Sequence, residues 1–150
     1  MRLVVVISKD VAKTFGIELD NQNKPQRKGA PCGQIKLKKP KVPPHIQKKF
    51  VKLINSIECE GKIRPSELKK IGFDVGRLEP SPYTEWAIKI AQNLIFKVHG
   101  LKVKSEDIRL LKIKLSRDYR ATIGLVYKRA GIATIFVLVV DGGKREDYYQ

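Results

Sequence analysis

Three apolar runs follow one another at close range in the last third of the chain, and they leave few folds open. The first spans about 108–116, the second 119–128 and the third 132–140. Only Ser116-Arg117-Asp118 and the turn Lys128-Arg129-Ala130-Gly131 separate them. Strands joined so tightly pair with their sequence neighbours, so the sequence predicts an antiparallel meander. Side chains alternate along a strand. On the first run Leu111, Ile113 and Leu115 point one way, and Lys112 and Lys114 the other. On the second, Tyr119, Ala121, Ile123, Leu125 and Tyr127 make an apolar face, while Arg120, Thr122 and Gly124 make a more polar one. Ordinary register then gathers Lys112, Lys114 and Arg120 on one open face, with the helices covering the opposite face. The third run, Ile132 to Val140, is apolar on both faces apart from Thr134, as in a central strand buried on both sides. That strand sits awkwardly under an open basic face, unless the upstream basic segment or another chain covers part of it.

The rest of the chain supplies what packs on the sheet. Residues 2–8 read as a buried strand, and Lys9 to Phe15 as a short helix ended by Gly16. Ile46, Phe50, Leu53, Ile54 and Ile57 recur at helical spacing, which predicts a helix from near Pro44 to Ile57. Ser66 to Ile71 is a helical turn stopped by Gly72, and the segment around Gly72, Gly76, Pro80 and Pro82 reads as a connector. Ser81 can cap the clearest helix and Pro82 suits its first turn. Its apolar stripe is Tyr83, Ala87, Ile90, Ala91, Leu94, Ile95 and Val98, and Gly100 ends it. Trp86 is assigned to the core with that stripe, and His99 to a surface or capping position. The predicted fold class is α+β: an antiparallel β-meander over about 108–140 plus an N-terminal strand, packed on two or three helices. A chain of 150 residues makes one domain, 1–150, with 21–44 as a basic loop or arm.

Charge narrows the function. Lys and Arg number 31 against 15 Asp and Glu, a net +16, which favours polyanionic partners. No acidic residue lies between Asp20 and Glu58, where Lys24, Arg27, Lys28, Lys36, Lys38, Lys39, Lys41, Lys48, Lys49 and Lys52 fall. Gly29, Pro31, Gly33, Pro40, Pro43 and Pro44 mark the first part of this window as a loop or extended arm. A solvated loop is the plainer reading, but cations without carboxylates repel one another until an anion arrives. Arg27, Lys28, Lys36, Lys38, Lys39, Lys41, Lys48, Lys49, Lys52 and Lys144 are therefore the candidate nucleic-acid contacts. No apolar run approaches the roughly 20 residues of a membrane span. The apolar start is too short for a secretory signal, so a cytoplasmic protein is expected. Cys32 and Cys59 fit no CxxC pattern, and with His45 and His99 they match no structural zinc spacing. No metal or cofactor is expected. Free thiols are the preferred reading, with a disulfide left open for a hyperthermophilic source, an origin with which the Lys, Ile and Val richness is compatible.

Lysines, arginines and tyrosines gathered on one surface have a chemistry of their own. Close-set lysines disfavour one another's charged form, and a neutral lysine can act as a base. Arginine grips phosphate and stabilises charge that builds during phosphoryl transfer. Tyrosine stacks on a base or donates a proton. Such a set can cut RNA without metal, with the ribose 2′-OH as nucleophile. Lys112-Ile113-Lys114-Leu115, Tyr119-Arg120, the apolar strand and Gly143-Lys144-Arg145 followed by Tyr148 and Tyr149 carry a likeness to a known family. The stretch from Leu111 to Tyr149 resembles the RelE-type mRNA interferases of toxin–antitoxin systems. The resemblance implies a RelE-like fold with an enlarged N-terminal half, acting as a toxin endoribonuclease on ribosome-bound mRNA. It implies base and phosphate-binding roles for Lys112 and Lys114, phosphate stabilisation by Arg120 and Arg145, and nucleotide stacking by Tyr148 or Tyr149. It also implies the ribosome and an antitoxin protein as partners. The alternatives are a non-catalytic basic nucleic-acid-binding protein, ribosome- or genome-associated, and a structural or assembly subunit.

Overall fold

The meander forms where the alternation of apolar residues places it, in a computed structural model that describes residues 2–29, 31–130 and 132–144. Strands β5 (Ile108–Lys114), β6 (Tyr119–Ala130) and β7 (Ile132–Lys144) pair antiparallel in sequence order. The β6–β7 ladder continues as far as Ala130 opposite Ile132, so strand replaces most of the turn expected at Lys128–Gly131. Strand β1 (Arg2–Ile7) lies parallel to β7 on its far side. A further strand, β4 (Asp74–Arg77), forms inside the expected connector and pairs with β5. The result is an α+β fold on a mixed five-stranded sheet of order β1-β7-β6-β5-β4.

Local signals set the helix ends. Helix α1 (Lys9–Phe15) starts at Ser8, whose hydroxyl accepts from the Val11 amide, and stops at Gly16 with φ 69°. A Cβ at Gly16 would meet the Lys38 carbonyl at 2.5 Å, so both the conformation and the space require glycine. Between β1 and β4 run a two-residue hairpin, β2 (Arg27–Lys28) and β3 (Gln34–Ile35), then α2 (Pro44–Glu58) and α3 (Pro65–Lys70). Helix α4 (Pro82–His99) opens at Ser81, whose hydroxyl accepts from the Thr84 amide, and ends at Gly100 with φ 66°.

Helices cover both faces of the sheet, which corrects the expectation of one open face. On one side α1, α2 and α3 pack on Val5, Ile7, Ile113, Ile123, Val137 and Val139. Phe15 stacks flat on Phe50 with ring centroids 4.1 Å apart. On the other side Ala87, Ala91, Leu94 and Ile95 of α4 cover Val4, Val6, Ile108, Leu110, Val126, Phe136 and Leu138. The cause is β7 itself. A strand apolar on both faces exposes a large area unless each face is covered, and burying each Val, Leu or Phe there is worth about 1.5–3 kcal/mol.

The basic segment is docked on the domain and is not a free arm. Ile17, Ile35 and Val42 are buried with the α1–α2 core. Asn23 accepts from the Ile7 amide and returns its side-chain N–H to the Ile7 carbonyl, covering the end of edge strand β1. Arg27 donates to Glu58, Asn55 and the Gly33 carbonyl, its side chain only 11% exposed. These contacts set the hairpin against the end of α2, where Cys32 and Cys59 form a disulfide with Cα atoms 5.8 Å apart. The preferred reading of free thiols is thereby corrected. The sequence separation of 27 hid a closeness that only the packing of β2 and β3 on α2 creates. Among the described residues no helix is long and apolar enough to cross a membrane.

Candidate nucleic-acid interface

The register of four strands builds two short rows of side chains at one end of the sheet. Gly76, Lys112, Thr122 and Asp141 are successive partners across β4, β5, β6 and β7. Asp74, Lys114, Arg120 and Gly143 are partners in the next row. Alternation puts Lys112 and Lys114 on the same face as Ile108 and Leu110, which is the α4 face. The three predicted basic residues are thus together, beside the first turn of α4 and on the face that α4 partly covers. They are not equally open. Lys112 and Lys114 are partly exposed, whereas Arg120 is buried at 5% exposure, contrary to the open position expected of it. Lys114 approaches Asp74 at 3.6 Å, a solvent-exposed pair that contributes at most about 1 kcal/mol.

Asp141 reaches this face through an irregularity. Thr122 is opposite Asp141 but Ile123 is opposite Val139, so Val140 is an extra residue on β7. Were the ladder regular, with Val140 opposite Thr122, Asp141 would share the face of Val139, inside the α1–α2 core. With the extra residue, the Asp141 carboxylate accepts from the Tyr83 hydroxyl at 2.8 Å and from the Gly142 amide at 2.9 Å. The Tyr83 hydroxyl also lies 2.9 Å from that of Thr122. Burial pushes the Asp141 carboxyl above its ordinary value, and the bonds from Tyr83 and Gly142 partly offset this. Tyr83, Thr122 and Asp141 therefore form a proton-bearing cluster beside Lys112. The next residue, Gly142, faces back toward α1, where a Cβ would meet the Phe15 ring at 2.5 Å.

A cleft of about 320 Å³ opens at the same end of β7 and joins the docked basic segment to the sheet. Lys41, Tyr119, Thr14, Lys144, Gly142 and Gly143 are among the residues that line it. Two of the predicted cations, from opposite ends of the chain, thus share one concavity with an aromatic ring.

The other predicted contacts divide by what holds them. Lys28, Lys38, Lys39, Lys41 and Lys48 are exposed and make no ion pair with a described carboxylate, and Lys36 is half-buried. Lys49 and Lys52 donate to the carbonyls of Gly72 and Ile71 and lie over the Phe73 ring, so they close the end of α3. Arg27 is a structural tie, as its contacts with Glu58 and Asn55 require. Arg145, Tyr148 and Tyr149 lie outside the described residues.

Tyr83, Thr122, Asp141 and Trp86 were the residues that sequence reasoning placed elsewhere or passed over. Trp86, expected in the core, is 45% exposed. His99, expected at a surface or capping position, is half-buried and packs its ring 4.9 Å from that of Phe136 because α4 runs over β7. The signal for Asp141 was its place as the first charged residue after a long apolar run. Among the described residues no three His, Cys, Asp or Glu side chains group closely enough to hold a metal ion. Comparison with protein-family models, with curated proteins and with solved structures found no match to this chain.

Proposed function

We propose that the chain binds nucleic acid through its phosphates. The observation that carries this reading is the set Lys28, Lys38, Lys39, Lys41 and Lys48, exposed and without described carboxylate partners on a segment held in place by Cys32–Cys59 and Arg27–Glu58. Cations presented on a fixed frame lose little entropy when an anion arrives. Phosphate neutralisation releases counterions, so the affinity must fall steeply with salt. The test is anisotropy of a labelled single strand and a labelled duplex across a salt series, for the wild type and a Lys38→Glu/Lys39→Glu/Lys41→Glu variant. The expected result is binding whose logarithm falls linearly with log salt, weakened at least tenfold in the variant, with a slope reduced by about 2–3. Salt-independent binding, or an unchanged variant, overturns the reading.

A second reading is favoured by one observation, the adjacency of Lys112 and Lys114 to the Tyr83–Thr122–Asp141 cluster. In it the protein is a RelE-type endoribonuclease acting on ribosome-bound mRNA and restrained by an antitoxin. Lys112 and Lys114 would handle the 2′-OH proton and the phosphate, with Arg120 stabilising charge. Primer extension on programmed ribosomes checks it. Cuts in the ribosomal A site that vanish with Lys112→Ala/Lys114→Ala are expected, and intact mRNA overturns it.

A further inference from the structure

Helix α4 turns two large aromatic side chains away from the sheet. After Pro82 its exposed positions are Glu85, Trp86, Lys89, Asn93, Phe96 and Lys97, while Ala87, Ala91, Leu94 and Ile95 are buried. Trp86 is 45% exposed and Phe96 52%. A helix that already buries an apolar stripe gains nothing in packing from aromatic rings on its outer side. Scattered exposed apolar residues are ordinary. These two differ in their company: Lys89 follows Trp86 by three positions and Lys97 adjoins Phe96, and neither lysine pairs with a described carboxylate.

Trp86 is also continuous with the basic rows. Its ring lies 5.6 Å from that of Tyr83, tilted by 40°. The Tyr83 hydroxyl meets Thr122, and Thr122 is the register partner of Lys112. A strand whose phosphates lie near Lys112 therefore has an open aromatic surface within reach of its bases. We propose that the outer face of α4 is a stacking platform for the bases of single-stranded nucleic acid, with Trp86 as first contact and Phe96 as second. The inference rests on the phosphate-binding reading above and specifies its ligand. Trp86 and Phe96 are ten positions apart, about 15 Å along the helix axis, so successive contacts lie along one strand. A duplex keeps its base faces stacked internally and cannot use such a surface. Stacking is tolerant of sequence, because every base has a π-face.

Trp86 is the chain's one tryptophan, so its emission reports this face alone. The experiment titrates the full chain with oligothymidylate of about ten nucleotides, with a duplex of the same length and with inorganic polyphosphate. It records Trp86 emission and, by calorimetry, affinity, for the wild type, Trp86→Ala and Trp86→Phe. Oligothymidylate is expected to quench Trp86, while polyphosphate binds without quenching. Trp86→Ala should weaken oligothymidylate about tenfold, leave polyphosphate unchanged, and be largely rescued by Trp86→Phe. Equal quenching by polyphosphate overturns the platform. So does tight oligothymidylate binding without quenching and unaffected by Trp86→Ala, an outcome that leaves phosphate binding standing. Failure of all three ligands to bind overturns both readings. Emission that shifts with protein concentration alone assigns the face to a second copy of this chain and overturns the platform.

Discussion

On one side of the sheet Phe15 stacks on Phe50 above a core that closes over Leu53, Ile54 and Ile57, and the disulfide and the Arg27–Glu58 pair tie its margin. On the other, the α4 core gives way within one strand to Lys112, Thr122 and Asp141, and the helix shows Trp86 to solvent. The same five strands support both layers. The contrast separates two tasks that one layer would serve poorly together. Full burial gives rigidity, and on that side the groups able to meet a ligand are the exposed lysines of the docked segment, outside the core. A margin where buried Thr122 and half-buried Tyr83 and Asp141 stand beside partly exposed lysines can meet one, provided that the opposite layer keeps the strands in register.

If that division holds, truncation on the dry side costs most. Phe50→Ala, at a fully buried ring, should lose about 3–5 kcal/mol in urea denaturation. Leu94→Ala on the α4 side, where 8% of the side chain remains exposed, should lose less. An equal loss would break the contrast. Reduction of Cys32–Cys59, or Cys32→Ser/Cys59→Ser, should cost about 3–4 kcal/mol for a loop of this separation, 27 residues, read from the urea midpoint with and without reductant. Tyr83→Phe leaves Asp141 and Thr122 without their shared hydroxyl, and a loss of about 1–2 kcal/mol is expected. The same variant should raise the Asp141 titration midpoint further, because the Tyr83 bond opposes the upward push of burial. Carboxyl NMR of both proteins would show this.

The smallest effects are those of pH, and both groups belong to the α4 side. The raised Asp141 value gives stability that is fully present below the ordinary aspartate value and lost as pH rises through the raised one. His99 goes the opposite way. Burial, with help from Arg2 and Lys24, holds it below 6.5, so its stabilisation is present above that value and lost as pH falls through the lowered one. Among the described residues its buried Nε2 has no hydrogen-bond partner, in keeping with a neutral ring packed on Phe136. An imidazole NMR titration that places His99 at or above 6.5 would contradict that packing.

Particular residues show how far the sequence could be read. Gly16, Ser81 and Gly100 act within a few positions of themselves, so the end of α1 and both ends of α4 were visible directly, whereas Ser8 was read as the last strand residue and its cap on α1 was missed. Lys112, Lys114 and Arg120 were visible as neighbours because strand alternation and a short turn fix their register. Arg120's burial was not visible, since alternation gives a side chain's direction and not what covers it. Trp86 failed for the same reason: next to Ala87 in sequence, it lies one helical step off the buried stripe. Arg27 looked like every other cation in its window, and its contacts with Gly33 and with Asn55 and Glu58, 28 and 31 positions away, set it apart. The α4 face itself could not be read, because a helix's apolar stripe does not say which side of a sheet it will choose.

The surplus residue Val140 has one more consequence. It divides β7 into two spatial reading frames: before it, odd-numbered residues enter the α1–α2 core; after it, Gly142 does. Deleting Val140 would merge the two frames into one regular strand and leave Asp141 opposite Thr122 and Gly142 opposite Ala121. The surplus residue is slack in the strand: a deletion here should be tolerated better than one at Ile113 in the regular ladder of β5, which would turn the residues on one side of it to the other face, and a deletion library across both strands would show the difference.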